Sequence, residues 1–141
     1  MLSTTHDQGG EDCSVTRILL LPSSSMPLSQ GIDLMVGELQ VYDVNTVPLH
    51  HTAEELDRIT AHASDALRKG DLEGVHTFLE KAVDTMREAI LILRLLCIIE
   101  RNQLPGYVLD HLVQTRELIQ QAMNEARSAL NTTRSGHSSA A

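Results

Sequence analysis

The sequence predicts an all-α protein, a long helical hairpin with one shorter helix beside it. Apolar residues recur at helical spacing from Thr52 to Leu130, and the single break Leu104-Pro105-Gly106 divides the longest stretch into two antiparallel arms. Hydrophobic residues make up 42% of the 141, enough to close one core. An extended N-terminal arm that can add a short strand precedes the helices, and a dimeric bundle is the expected assembly.

The first 51 residues hold three of the four prolines (Pro22, Pro27, Pro48) and four of the eight glycines, a texture unlike that of the remainder. Residues 1–14 are polar and read as a flexible tail, and 15–51 as the extended arm. Within the arm, Val15 to Leu21 is a short apolar run that ends at Pro22, and Ser23 to Ser25 form a link. Asp33 to Asn45 reads as one strand, because Leu39, Val41, Tyr42 and Val44 favour extended backbone and Gly37 weakens a helix. A lone strand leaves its amides and carbonyls unpaired. These four side chains are therefore candidate contacts for a partner, the alternative being that the arm packs on its own helices.

Residues 52–130 form the expected three-helix domain. Thr52-Ala53-Glu54-Glu55 has the form of a capping box, so the first helix is placed at about 52–69, with Arg68 and Lys69 suited to its C-terminal end and Gly70 to a left-handed stop. Asp71 caps a second helix over about 72–102. At ~1.5 Å per residue it spans roughly 45 Å and dominates the shape. A third helix covers about 106–130, with Leu109, Leu112, Ile119, Met123, Ala126 and Leu130 near a heptad. Residues 131–141 read as a disordered tail.

The second helix has two apolar faces. On a wheel of about 100° per residue, Val75, Phe78, Leu79, Ala82, Val83, Met86, Ala89, Ile90, Leu93, Leu96 and Cys97 share the arc that meets the other helices. Leu91, Ile92, Leu95, Ile98 and Ile99 fall on the opposite arc, which carries Asp84 and Glu88 a turn or two earlier. Each such side chain gains roughly 1.5 to 3 kcal/mol on leaving water, so this arc calls for a cover. A second copy, the N-terminal arm or a different protein would supply it, and a homodimer is the expected solution. Arg94, inside the run, either lays its stem along the interface or pins its register through Glu88, Glu100 or Glu117; Arg116 interrupts the third helix in the same way.

Composition and motifs narrow the function. Asp and Glu outnumber Lys and Arg 19 to 11, a net charge of −8, which argues against direct nucleic-acid binding. Tyr42, Phe78 and Tyr107 are the whole aromatic complement, so stacking surfaces for bases or flat cofactors are few. No 18-residue apolar run predicts a membrane span, and no basic, then apolar leader opens the chain. Cys13 and Cys97 form no paired framework, which fits a reducing, cytoplasmic setting.

His50, His51, His62, His76, Glu80 and Asp84 lack the spacing of a metal site, and Cys97 lies among aliphatic neighbours where a thiol behaves as a small hydrophobe. Neither a nucleophile elbow nor a phosphate-cradling glycine loop is present. The expected function is therefore that of a non-catalytic interaction regulator without cofactor, metal or membrane partner: a small acidic adaptor or antagonist that sequesters a partner protein, such as a transcription regulator held by an antiactivator. A secretion-chaperone-like or phage-type assembly role is the alternative, and a small helical enzyme with His76, Glu80 and Asp84 at a pocket is the remaining one. Candidate interface residues are Leu91, Ile92, Arg94, Leu95, Ile98 and Ile99.

Overall fold

The computed structural model describes residues 26–140, as backbone alone from 133 onward. Four helices account for nearly all of it: α1 Leu28–Gln40, α2 Val47–Lys69, α3 Leu72–Ile99 and α4 Gly106–Ala140. The hairpin of α3 and α4 and the shorter α2 are the expected elements. No strand occurs among the described residues.

Helix α1 corrects the strand expected from Asp33 to Asn45. Leu28, Ile32, Met35, Val36 and Leu39 repeat every three or four residues, and all five are buried, a stripe that extended backbone would split between two faces. Gly37 has open space around it and costs the helix only about 1 kcal/mol, less than the burial of that stripe returns. Leu39 and Val44, expected as partner contacts, lie in the chain's own core, while Tyr42 is half-buried and Val41 exposed. The run Val15 to Leu21 and the tail of residues 1–14 lie outside the described residues.

Helix α2 begins at Val47, five residues before the expected capping box, because Pro48 occupies the first turn, where a missing amide hydrogen costs nothing. The side chain of Asn45 accepts from the Val47 amide at 3.2 Å. Thr52 is thus not a cap: it is buried inside the helix, and its hydroxyl donates to the Leu49 carbonyl at 2.6 Å. The other end follows expectation, for Gly70 adopts φ 71° and returns its amide to the last turn. Asp71 then accepts from the Gly74 amide at 2.9 Å, and a Cβ on Gly74 would collide with that carboxylate. Helix α4 continues to Ala140, past the expected end at Leu130.

Each helix packs on its chain neighbours, and α1 closes the circuit onto α4, while the diagonal pairs do not approach each other. The directions follow from contacts along the seams. Ser29 donates to Asp57 at 2.5 Å and His50 lies 3.4 Å from Asp33, so α1 and α2 are antiparallel. His111 meets Glu38 at 2.6 Å, and the Thr115 hydroxyl reaches the Met35 sulfur, so α1 and α4 are antiparallel too. The result is an up-down-up-down bundle in which α1, at 13 residues, covers only the end that holds the α3–α4 turn. There Gln103 donates to the Tyr42 carbonyl at 2.6 Å and the Tyr42 and Tyr107 hydroxyls meet at 2.8 Å, a bond that raises the Tyr42 pKa.

Leu28, Leu39, Leu49, Leu56, Met86, Leu93, Leu112 and Ile119 are almost wholly removed from water, and no side-chain polar atom among the described residues is buried without a hydrogen bond. Leu112→Ala is expected to lower unfolding free energy by about 2 to 5 kcal/mol in urea titration, and Gly70→Ala by about 1 kcal/mol through its left-handed backbone.

Candidate functional site

On α3, the arc expected to be core is buried or half-buried, and the opposite arc, expected to need a cover, is mostly exposed. Val75, Leu79, Ala82, Val83, Met86, Ala89, Ile90 and Leu93 are buried, with Phe78, Leu96 and Cys97 half-buried at the margin. On the far side, Leu91 is 52%, Leu95 54%, Ile98 71% and Ile99 69% exposed, and Ile92 is half-buried. One physical cause produces both: α2 and α4 flank α3, α1 lies diagonally across the bundle, and no third neighbour covers α3 from outside among the described residues.

The exposed arc has a regular plan. Asp84, Glu88, Leu91, Leu95 and Ile98 alternate at spacings of four and three, the seam of a coiled-coil heptad, acidic at its N-terminal end and hydrocarbon at its C-terminal end. Arg87 and Arg94, seven residues apart, lie along one flank of the seam, and Arg101 follows in the turn after the helix. Ile92 and Ile99 line the other flank. Arg94, expected either to lay its stem along an interface or to pin it, is exposed and has no ion-pair partner among the described residues, and the same holds for Arg101.

Most other described cations differ. Arg58 meets Glu55 at 2.9 Å, Arg68 and Lys69 meet Asp65 at 3.3 and 3.0 Å, and Arg87 meets Asp84 at 3.4 Å. The Lys69 ammonium holds the Asp65 carboxyl below its ordinary pKa, through its hydrogen bond first and its charge second. Lys81 stands over the Phe78 ring. The seven-residue arginine spacing is legible in the sequence, but only a wheel that tracks charge as well as hydrocarbon finds it.

The remaining histidine candidates do not converge. His50 lies near Asp33 and Glu54, His76 is 3.9 Å from Glu80 within one turn, and His62 packs edge-on against Phe78. No group of three metal-ligating side chains gathers among the described residues. A groove of about 350 Å³ between α3 and α4 brings Glu80 and Asp84 beside Arg87 and Arg127, and a smaller one of about 200 Å³ lies between α1 and α4. The charges lining the larger groove offset one another, and the smaller is lined mostly by uncharged side chains beside Glu38. No described helix is long and apolar enough to cross a membrane.

Burial pushes the Cys97 thiol above its ordinary pKa, and the Arg116 charge offsets this only in part. In a Cys13→Ser background, Cys97 is expected to react with a thiol-exchange reagent at pH 8 more slowly than free cysteine; an equal or faster rate would count against this reading of its surroundings. No known protein family, curated protein or solved structure matches the chain.

Proposed function

We propose that the protein is a non-catalytic interaction regulator, a small acidic adaptor or antagonist that works by pairing through the outward face of α3. In this reading the face closes on a second copy as a homodimer, and a partner protein held in sequestration takes the same surface. A transcription regulator kept from its target by an antiactivator is one form such a partner takes. The setting is cytoplasmic, consistent with cysteines that form no paired framework.

One observation carries the reading. A chain whose other large side chains are mostly packed leaves Leu91, Leu95, Ile98 and Ile99 at least half in water along two turns of one helix. Scattered exposed aliphatics are ordinary on a soluble surface, but a contiguous stripe at heptad spacing is the pattern that helix-to-helix recognition uses. The acidic balance of the chain opposes association with phosphate backbones.

Leu95→Glu and Ile98→Glu each place a carboxylate on the stripe, away from the core. Sedimentation is expected to show a lower mass than the unaltered chain, with helical circular dichroism largely retained. Unchanged mass and unchanged partner binding in both variants would refute the proposal.

A further inference from the structure

Charge placement along the α3 seam identifies the chemistry of its partner. We infer that the face is built to receive an amphipathic helix with acidic residues flanking its apolar stripe, in preference to a second copy of itself; this rests on the reading of the face as a pairing surface. Two helices that pair through a heptad seam bring their flanking positions together, like flank to like flank when antiparallel and opposite flanks when parallel. Antiparallel self-pairing centred on Arg94 would therefore set Arg94 against Arg94 of the second copy. Parallel self-pairing would set Glu88, within the seam, against its own counterpart. Each arrangement juxtaposes like charges.

An acidic helix removes the first conflict and supplies what the flank lacks. Arg94 and Arg101 have no carboxylate partner among the described residues, although the chain has 19 Asp and Glu for 11 Lys and Arg. Arg87 and Arg94 are about 10 Å apart along the seam, the repeat at which a heptad partner presents its flanking glutamates. The aliphatic residues Leu91, Leu95 and Ile98 supply the attraction, and the arginines select the sign of the partner's flanks. A homodimer through the same face is then the weaker pair, which an acidic helix displaces.

Net charge and local charge make opposite predictions, and this makes the inference testable. A net charge of −8 favours a basic helix, whereas the arginine flank favours an acidic one. Two synthetic peptides about four heptads long, with Leu in the seam and either Glu or Lys at the flanks, are titrated into the full chain and followed by calorimetry. The Glu peptide is expected to bind about tenfold or more tightly than the Lys peptide, and salt should narrow the gap. Arg94→Glu combined with Arg101→Glu should reverse the order. Leu95→Asp should abolish binding of both peptides, with circular dichroism confirming that the helices persist.

Equal or stronger binding of the Lys peptide overturns the inference and leaves the face as a pairing surface. Binding of neither peptide, with a dimer that Leu95→Asp splits, assigns the face to a second copy and also overturns it. Binding of neither, with mass unaffected by Leu95→Asp, overturns both this inference and the function it rests on. The comparison of the two peptides on the unaltered chain needs no variant to fold.

Discussion

The architecture depends on one imbalance: α3 carries more hydrocarbon than its neighbours can remove from water. Its inner arc, from Val75 to Leu93, is closed over by α2 and α4, and Ala82, Ala89, Ala122 and Ala126 are fully buried, as small residues are where helices approach closely. The final two turns carry aliphatic residues around almost the entire circumference. Only half of that circumference has a helix beside it. A bundle with α1 on the diagonal cannot correct this, because α1 spans the gap between α2 and α4 and leaves the outside of α3 untouched.

How much of this could be read beforehand follows from how each signal arises. The three longer helices were legible because their periodic stripes are long and their ends carry strong punctuation: Gly70 in a left-handed turn, Asp71 as a side-chain cap, Pro105 before α4. The two arcs of α3 were legible for the same reason, since residues on opposite arcs differ in position on the wheel and not in type. The short helix was not. Thirteen residues that include Gly37 and are preceded by Pro27 carry little intrinsic preference, and the β-favouring Val41, Tyr42 and Val44 lie just beyond its end. Its helical form comes from packing: Ile32, Met35 and Leu39 are buried only if the backbone turns every 3.6 residues.

The start of α2 was misplaced because one proline has two meanings. Pro48 ends a helix that precedes it and opens one that follows it, and Thr52-Ala53-Glu54-Glu55 supplied a plausible cap four residues later. In the folded chain Thr52 is buried, and its hydroxyl is satisfied by the carbonyl one turn earlier, so the box has no free amide to serve. The arginine row is hidden for a different reason. A hydrophobicity wheel gives every charged residue the same weight, and the repeat of Arg87, Arg94 and Arg101 disappears among polar positions unless sign is tracked.

The order of the helices around the bundle also governs how the chain comes apart. Three of the four seams join consecutive elements through short turns, and only the seam of α1 with α4 ties residues far apart in sequence, as in Glu38 with His111. Releasing α1 therefore breaks one distant seam and one local one, while the hairpin of α3 and α4 keeps its own. Every helix has two seams, but α1 is the shortest of the four and packs least on its neighbours, so it is the expected first unit of opening, with the weakest amide protection across Leu28–Gln40.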